Sequence, residues 1–251
     1  MTIKFITINI LHGGEWLDKV LEFIDNEKPD IVAMQEVCES PDGNLPRNLR
    51  TTSVLKEHFP DYNLTFVPDK LSIKEGHVES GVAILSRYPI VKQEMAFFGI
   101  PYGYYPEPPE KKDFSLDPQN LLHATIDADE TALNVMNVHG VWGFDGEDNP
   151  RRLLMSEMII KRIQGQANVI LAGDFNTRPH TKTMLNLEKY LTNVFKDELK
   201  TTFNVPRRGP GGYDTSVVDA MYISKNIKVI EHYCPQVDIS DHLPLVATLE
   251  V

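Results

Sequence analysis

The sequence has little cysteine and no long apolar run. Two cysteines are present, Cys38 and Cys234, and they lie far apart and match no spacing of zinc ligands. A disulfide scaffold is therefore excluded, and two free thiols in a reducing compartment are expected. No segment approaches the roughly 20 apolar residues of a membrane span. The first residues, MTIKFITINI, alternate apolar and polar side chains, which predicts a strand rather than a signal peptide and favours a cytoplasmic protein.

Positive charge is also scarce. The chain has 25 Lys and Arg against 36 Asp and Glu, which gives a formal net charge of −11 at pH 7. An acidic chain gains little from counterion release on long nucleic acid, because its overall field repels phosphate. The charge therefore argues against a high-affinity duplex binder. It does not exclude chemistry on nucleic acid at a locally positive or metal-loaded site.

The rest of the composition is that of an ordinary soluble globular protein. Of the 251 residues, 41% are hydrophobic and 24% are charged. This length suits one large domain or two small ones. Because the sequence has no linker, charge block or fixed-period repeat, we predict a single domain over residues 1–251.

Hydrophobic periodicity predicts an alternating order of strands and helices. The predicted helices span residues 15–26, 48–58 and 150–163, and the last is expected to have Asn149 as its cap and Pro150 as its first residue. Strands are predicted at residues 3–9, 30–36, 62–67, 81–87, 90–97, 121–126, 132–139, 168–173, 217–224, 228–233 and 243–249. The segment from Phe97 to Gln119 is rich in Pro, Tyr and Glu and is predicted to be a long loop, which is usually either functional or disordered.

Polar residues end several of the apolar strands, and this is the most informative pattern. The residues concerned are Asn9, Gln35-Glu36, His139, Asp174-Phe175-Asn176 and, before the last strand, Ser240-Asp241-His242. Ligands of layered α/β sheets bind beyond the carboxyl ends of strands, so we expect these side chains to meet. Carboxylates, amides and histidines without a cysteine cluster suit a hard cation such as Mg²⁺, which prefers oxygen ligands.

Each of these residues also has an ordinary structural interpretation. A single Asn or Asp at a strand end is more often a turn former or a helix cap. A single Glu36 is most often a solvated charge, and Asp241-His242 could form a turn. Taken together, however, several polar strand ends with the residue types of one reaction class are poorly explained by chance.

A series of motifs carries a resemblance to a known family. In chain order they are Thr-Ile-Asn9, Met-Gln-Glu36, Glu79-Ser-Gly-Val-Ala-Ile-Leu-Ser-Arg87, Asn-Val-His139, Gly-Asp174-Phe-Asn176, Val-Val-Asp219-Ala-Met-Tyr and Ser-Asp241-His242. With these motifs the sequence resembles the endonuclease/exonuclease/phosphatase superfamily over essentially the whole chain. The superfamily includes DNase I-like nucleases, apurinic endonucleases, sphingomyelinases and inositol-phosphate phosphatases. The resemblance implies an α/β fold, a four-layer α/β/β/α sandwich of two packed mixed β-sheets.

The resemblance also implies a metal site and a water-activating group. Glu36 would be the principal Mg²⁺ ligand, with Asn9 and Asp241 as direct or water-mediated ligands and Mn²⁺ as a substitute ion. Asp174 would orient and deprotonate the attacking water. Asn176 would hold the water or a phosphate oxygen in line.

Two histidines complete the implied site. His242 would contact the scissile phosphate and be oriented by Asp219, since the partner of one imidazole nitrogen fixes the tautomer of the ring. His139 would stabilise the transition state or protonate the leaving oxygen. Apurinic endonucleases of the superfamily usually carry Tyr where His139 stands, which lowers the weight of that subclass.

Other charged residues are weaker candidates. Glu79 matches an acidic position that some family members pair with the histidine found here at 139. Arg207 and Arg208 either present guanidinium groups to a second phosphate or belong to a solvated loop, with equal weight. Glu79, Arg207 and Arg208 are therefore predicted to bind substrate and are not assigned a role in catalysis or metal binding.

Three further arginines are assigned structural roles. Arg87 is predicted to support the fold through a salt bridge. Arg151 and Arg152, at the start of a predicted helix, are expected to be surface charges.

These expectations describe a Mg²⁺-dependent phosphoesterase. The leading substrate is a phosphodiester of DNA or RNA, short or single-stranded and loosely bound, with aromatic residues of the Phe97–Gln119 loop either stacking on it or packing on their own scaffold. The alternatives are a phosphatase or phosphodiesterase for small phosphorylated metabolites or lipid head groups, and a catalytically inactive binding module. A monomer is expected.

Overall fold

Two β-sheets with helices outside them form the structure. The computed structural model describes residues 1–72, 77–104, 114–208 and 212–251. The strands are β1 (Thr2–Asn9), β2 (Ile31–Glu39), β3 (Asn63–Ser72), β4 (Val78–Ser86), β5 (Ile90–Phe97), β6 (Gly103–Tyr104), β7 (Asn120–Ala128), β8 (Thr131–His139), β9 (Val169–Asp174), β10 (Thr192–Asn193), β11 (Asp219–Ile223), β12 (Lys228–Tyr233) and β13 (Leu245–Glu250). The α-helices are α1 (Leu17–Glu27), α2 (Thr51–His58), α3 (Pro150–Ile163), α4 (Lys182–Glu188) and α5 (Val205–Arg208).

Both sheets are mixed. The first has the strand order β12-β13-β1-β2-β4-β3-β6, and the second has the order β10-β11-β9-β8-β7-β5. The parallel pair β1 and β2 aligns Asn9 with Gln35, and the parallel pair β8 and β9 aligns His139 with Asp174. Parallel pairing brings the carboxyl ends of two strands to one edge, so each sheet delivers its polar strand ends together.

Most of the buried apolar side chains in the described ranges form three layers of packing, and a small fourth cluster contains Phe203, Tyr213 and Val218. One core lies between the sheets and takes Ile3 and Phe5 from β1 together with Leu122 from β7. A second lies between the first sheet and α1, and it takes Ile6 from β1. A third packs α3 against the second sheet. Strands β1 and β2 are therefore covered on both faces, which explains their nearly continuous apolar sequences. The predicted four-layer α/β/β/α sandwich is confirmed.

Local sequence signals set the ends of the helices. Asn149 accepts a hydrogen bond from the backbone N–H of Arg152 at 2.9 Å, and Pro150 is the first helical residue, so α3 has the predicted bounds. Helix α1 ends at Glu27, and the capping residue Lys28 is left-handed and precedes Pro29. Within the described ranges, no helix has the combination of length and apolar character needed to cross a membrane.

Part of the predicted long loop is ordered by Arg151. Residues 105–113 of the Phe97–Gln119 segment lie outside the described residues. Arg151 donates from Nε to the carbonyl of Phe98 at 3.2 Å and from Nη2 to that of Asp117 at 3.1 Å. The prediction that Arg151 is a surface charge was wrong, because its guanidinium joins the two ends of this segment.

Candidate functional site

The carboxyl end of β1 and an irregularity within β2 bring Asn9 and Glu36 together. The predicted strand 30–36 in fact continues to Glu39, so Glu36 does not end it. Asn9 Nδ2 donates to Glu36 Oε1 at 3.0 Å and to Asp174 Oδ2 at 3.1 Å. The other end of the amide is fixed, because Asn9 Oδ1 accepts from the backbone N–H of Leu11 at 3.0 Å. One buried amide thus connects carboxylates that come from different sheets.

A β-bulge explains how Glu36 leaves the first sheet. The pairing of β2 with β4 runs as far as Met34 opposite Ala83 and resumes at Val37 opposite Gly81, so β2 carries one extra residue. Glu36 lies at this irregularity with a φ of +58°. A left-handed backbone costs a residue with a Cβ about 1 kcal/mol, so the surrounding contacts must hold it in place.

Asn137 of β8 supports the bulge from the second sheet. Its Nδ2 donates to the carbonyls of Met34 and Ala83, both at 2.8 Å. Its Oδ1 accepts from Gln35 Nε2 at 2.6 Å. All these groups are buried. The amide therefore satisfies carbonyls on both strands beside the bulge and connects the sheets beneath the site.

A left-handed turn after β1 completes the surroundings of Glu36. The residues from Leu11 to Gly14 all have positive φ, between +47° and +87°. This turn directs the backbone N–H of His12 to Glu36 Oε2 at 2.8 Å. The imidazole of His12 is 72% exposed, and its Nδ1 lies 3.8 Å from the same carboxylate.

Glu36 is held in its ionised form. Burial would raise its pKa, but the charges of His139 and His12 and the hydrogen bonds from His12 and Asn9 outweigh burial and lower the pKa to about 2. The site therefore offers an ionised oxygen ligand at the bulge of β2.

The end of β9 positions Asp174 and Asn176. Asp174 Oδ1 accepts from the backbone N–H of Asn176 at 2.8 Å, and Asn176 is left-handed at +52°. Tyr213 donates its hydroxyl to Asn176 Oδ1 at 3.1 Å. Gly140 allows this close packing, because a Cβ there would lie 2.2 Å from the carbonyl oxygen of Phe175. Both polar side chains are almost fully buried.

Arg152 holds the loops behind these residues and is completely buried. It donates from Nε to the carbonyl of Val141 at 3.0 Å, from Nη2 to that of Asn176 at 2.7 Å, and from Nη1 to that of Glu147. The prediction of a surface charge was wrong. The guanidinium is buried because it donates hydrogen bonds to backbone carbonyls of two loops, which would otherwise lack donors.

His242 lies between two carboxylates. Its Nδ1 is 2.9 Å from Asp219 Oδ2, and its Nε2 is 3.8 Å from Asp174 Oδ2. Burial would lower the pKa of His242, but the charges of Asp219, Asp174 and Asp241 raise it to about 10. The ring of Phe203 packs against it with centroids 4.6 Å apart. His242 is therefore a fixed, protonated donor whose orientation is set by Asp219.

His139 has a carboxylate partner that the sequence analysis did not identify. Its Nδ1 lies 3.7 Å from Oδ2 of Asp69, a residue that is 2% exposed. Burial would lower the pKa of His139, but Asp69 and the charges of Asp174 and Glu36 raise it. Burial also raises the pKa of Asp69. The two groups form a second histidine–carboxylate pair in the site.

Among the residues that the structure describes, two groups of side chains could be considered for a metal ion. Ligand atoms of Asp174, Asp219 and His242 lie within 4.8 Å of one another. In that group, however, Nδ1 of His242 is already 2.9 Å from Asp219 Oδ2, and the carboxylates around the ring raise its pKa, so a proton competes with a metal ion for the imidazole. Glu36 instead offers an ionised carboxylate, which fits a hard divalent cation. Asn9 donates to that carboxylate from Nδ2, while Oδ1, the atom of the amide that could ligate a cation, accepts from the backbone N–H of Leu11.

Asp241 and the two loop arginines form ion pairs. Arg208 Nη1 donates to Asp241 Oδ2 at 2.5 Å, and its guanidinium stacks on Phe203. Arg207 donates from Nη2 to Asp238 Oδ2 at 2.5 Å and covers the ring of Trp16.

Glu79 has a different contact from the one expected. It accepts a hydrogen bond from the hydroxyl of Tyr102 at 2.7 Å. The carboxylate beside His139 is Asp69 instead, so the structure corrects the expected pairing. Arg87 contacts Asp30 at 3.8 Å and donates to the hydroxyl of Tyr62 at 2.8 Å, as expected of a structural residue.

Sequence reasoning missed several residues of the site, chiefly Asp69, His12, Tyr213, Asn137 and Arg152. Asp69 had a usable signal. It follows Pro68, and proline within a strand is typical of a bulge. The pairing of β3 with β4 indeed shifts between Pro68 and Lys70, which frees Asp69 from the ladder.

Comparison with known proteins identifies the family. Residues 6–242 match the family model described as "Endonuclease/Exonuclease/phosphatase family". No curated protein matches the chain.

Solved structures share the fold over their whole length. An endonuclease/exonuclease/phosphatase from Bacteroides vulgatus has 19% identity and a TM-score of 0.74, covering 100% of this chain and 99% of that chain. A mannosyl-6-phosphatase from Bacteroides thetaiotaomicron has 18% identity and a TM-score of 0.71, covering 99% and 100%. D. rerio TDP2 complexed with a single-strand DNA product has 15% identity and a TM-score of 0.70, covering 100% and 99%. At these identities the similarity establishes the fold alone.

The family match spans nearly the whole chain, and the fold and the polar strand ends agree with it. The family consists of hydrolytic phosphoesterases that generally depend on divalent metal ions. The chain belongs to the endonuclease/exonuclease/phosphatase family.

Proposed function

We propose that the protein is a Mg²⁺-dependent phosphodiesterase that cleaves short or single-stranded nucleic acid. The observation that carries the proposal is the convergence of two histidine–carboxylate pairs, Asp219–His242 and Asp69–His139, on the carboxylates of Glu36 and Asp174. Phosphoester hydrolysis requires groups that activate water and groups that neutralise charge on the phosphoryl oxygens. This cluster contains both kinds.

Glu36 would hold the cation, with Asn9 beside it and Asp241 as a further direct or water-mediated ligand. Mn²⁺ would substitute for Mg²⁺, since both accept carboxylate and carbonyl oxygens. When bound, the ion supplies Lewis-acid polarisation of the phosphoryl group. Direct ligation by Asp241 would require Arg208 to leave that carboxylate, and direct ligation by Asn9 would require its Oδ1 to turn from the N–H of Leu11.

Asp174 is the proposed general base, and Asn176 positions the reactants. Asp174 is fixed by hydrogen bonds from Asn9 Nδ2 and from the backbone N–H of Asn176, so its carboxylate cannot rotate away from the site. The Asn176 amide is fixed in turn by Tyr213. A base that is already oriented loses little entropy in the transition state.

The two histidines are the proposed donors. His242 is protonated and aimed by Asp219, so it would bind a non-bridging oxygen of the scissile phosphate as negative charge grows there. His139 has a raised pKa beside Asp69 and would stabilise the transition state or protonate the leaving oxygen.

A second candidate is hydrolysis of small phosphorylated metabolites. Arg207 and Arg208 are both neutralised, by Asp238 and Asp241, which leaves little positive charge for a second phosphate. One structural neighbour is a mannosyl-6-phosphatase. For this candidate Glu79, Arg207 and Arg208 would shape a pocket for a single small ester.

A substrate panel tests the proposal. Single- and double-stranded DNA, RNA, abasic DNA, inositol phosphates, sphingomyelin and sugar monoesters would be incubated with Mg²⁺, with Mn²⁺ and with chelator. We expect metal-dependent cleavage that is fastest on short single strands. Turnover of the monoesters alone would favour the second candidate, and full activity in chelator would contradict the metal assignment.

A further inference from the structure

Three aromatic rings form a continuous series beside the site. Phe114 and Trp142 meet edge to face with centroids 5.4 Å apart, and Trp142 and Phe144 meet in the same way at 4.7 Å. Both separations lie in the favourable range for aromatic pairs. We call Phe114, Trp142 and Phe144 the aromatic ladder.

The outer ring of the ladder is exposed, although its loop is firmly held. Phe144 is 63% exposed. Its loop is anchored on both sides by Arg152, which donates to the carbonyls of Val141 and Glu147. An exposed ring adds little burial to the fold. A rigid loop that holds such a ring in solvent therefore presents a preformed apolar surface.

The inner end of the ladder is connected to the site through Lys70 and Asp69. Trp142 follows His139 by three residues. The ring of Phe114 lies 5.5 Å from Nζ of Lys70, the residue next to Asp69. Asp69 in turn faces His139 at 3.7 Å. The ladder is therefore linked to His139 both through Lys70 and Asp69 and through the short segment from His139 to Trp142.

The ladder favours an uncharged occupant. The cation in contact with Phe114 is Lys70, and its Nζ is already paired with Asp117 Oδ2 at 2.6 Å. The molecule as a whole is acidic, with a net charge of −11. Aromatic side chains stack on any nucleobase, because every base presents a π-face. A planar neutral ring suits this surface better than a second phosphate does.

We propose that the aromatic ladder stacks the nucleobase adjacent to the scissile phosphate of a single-stranded substrate. This inference rests on the proposed function and makes the ladder its specificity-determining surface. Base recognition by stacking tolerates every sequence, so the enzyme would require a base at this position without selecting which one.

Tryptophan fluorescence tests the stacking directly. The sequence contains two tryptophans, so the variant W16F/D174N leaves Trp142 as the single reporter in an enzyme that does not consume its ligand. The probes are hexathymidylate and an oligomer of the same length built from abasic deoxyribose phosphate. We expect hexathymidylate to quench Trp142 and to bind about 10-fold more tightly than the abasic oligomer.

Variants of Phe144 separate stacking from general disturbance. F144A in the reporter background should weaken hexathymidylate binding about 10-fold and leave abasic binding unchanged, whereas F144Y should retain the affinity. Y190A is the matched control. Tyr190 is 43% exposed and precedes β10, which pairs with the end of β11 remote from Asp219.

The outcomes are distinct. Equal binding of the two oligomers, or equal effects of F144A and Y190A, would overturn the proposal. Quenching by phosphatidylcholine vesicles but not by hexathymidylate would overturn it in favour of a lipid surface. If the wild-type enzyme cleaves no oligonucleotide, the proposed function fails; if it cleaves base-bearing and abasic strands equally well, only the ladder assignment fails.

Discussion

His242 is the most constrained side chain of the site. Its ring is buried, its Nδ1 is fixed by Asp219, and its Nε2 faces Asp174 at 3.8 Å. Two carboxylates around one imidazole stabilise the cation against the cost of burial, which is why the pKa rises rather than falls. The residue is thus prepared to donate before a substrate arrives.

The first prediction concerns Asp174 and His242. D174N and H242A should each lower kcat at least about 10²-fold, because one removes the proposed base and the other removes a transition-state donor. The double variant should lose less than the product of the two effects, since the residues act as a unit. Steady-state kinetics of the three variants provide the check. Near-normal kcat with a raised KM would instead identify these residues as binding contacts.

The second prediction concerns the metal. E36Q should keep the fold and lose most Mg²⁺-dependent activity, because the amide preserves shape but removes the charge that holds the cation. Calorimetric titration of Mg²⁺ into the substrate-free variant should show weakened binding. E39Q, on the same strand beyond the bulge, is the control and should titrate like the wild type. Wild-type turnover by E36Q at saturating Mg²⁺ would remove Glu36 from the site.

The third prediction concerns Asp69: its replacement by Asn should raise stability and lower activity. A carboxyl whose pKa is raised by burial costs stability above its unfolded pKa, and the cost vanishes as pH falls below that value. D69N should therefore raise the midpoint of thermal unfolding at pH 7, and the gain should disappear near about pH 4. Its kcat should fall because His139 loses its partner. A lower midpoint at pH 7 would show that the ion pair stabilises the fold.

At the scale of the element, the irregularities of β2 and β3 matter more than their regular parts. Each strand pairs with β4 in an otherwise normal ladder, and each carries one extra residue. Those extra positions fall at Glu36 and Asp69, so both carboxylates leave the ladder where the strands bulge. A bulge re-aims a side chain without ending the strand.

The fourth prediction tests the support of the β2 bulge. N137A should destabilise the protein by about 3 kcal/mol, because it leaves the buried carbonyls of Met34 and Ala83 without their donor. N63A likewise removes an amide that donates to two backbone carbonyls, those of Ser86 and Tyr88, but at the exposed start of β3, where water can replace it. It should therefore change stability by less than about 0.5 kcal/mol. Urea unfolding measures both. Equal stability of the two variants would contradict the role given to Asn137.

Elements were predictable where local chemistry repeats over many residues. The Asn149-Pro150 cap and the apolar periodicity predicted α3 with its observed bounds. Helix α4 was missed, because Lys182–Glu188 is too short to show a period, although Thr181 caps it. The sequence predicts that β3 ends at residue 67, before Pro68. In the structure the strand continues to Ser72, because the bulge accommodates the proline.

The site was predictable to the extent that strand ends carry it. Asn9, Glu36 and Asp174 follow apolar strands, and topology brings them together. Pro68 could have indicated the bulge at Asp69, but not that Asp69 faces His139, and nothing indicated the burial of Arg152, because both depend on how the sheets and loops pack. A sequence shows that Arg152 begins a helix but not that two loops close over it.

At the scale of the whole molecule, acidic charge governs how substrates approach. The net charge of −11 repels long polyanions, and the arginines nearest the site are paired with carboxylates. Association should therefore depend on few contacts, mainly at the scissile phosphate. Long duplexes gain nothing from their additional charge under these conditions.

The fifth prediction follows from this charge. Binding of D174N to a single strand should show a shallow dependence on salt, corresponding to about one or two neutralised phosphates, and duplex binding should be weaker still. Affinities measured between low and moderate salt give the slope. A slope that corresponds to roughly six or more phosphates would indicate a dedicated duplex nuclease.

The extra residue in β2 has a consequence for how this enzyme could lose its activity. Met34 and Val37 both pack in the core between the first sheet and α1. In a regular strand, residues three apart point to opposite faces, so the bulge between them has shifted the alternation of side chains. Removal of residue 36 would restore an unbroken alternation and pair β2 with β4 without a gap. The pairing of β2 with β4 therefore does not require the residue at position 36. In a lineage under no demand for catalysis, a one-residue deletion here would leave the sheet more regular than before.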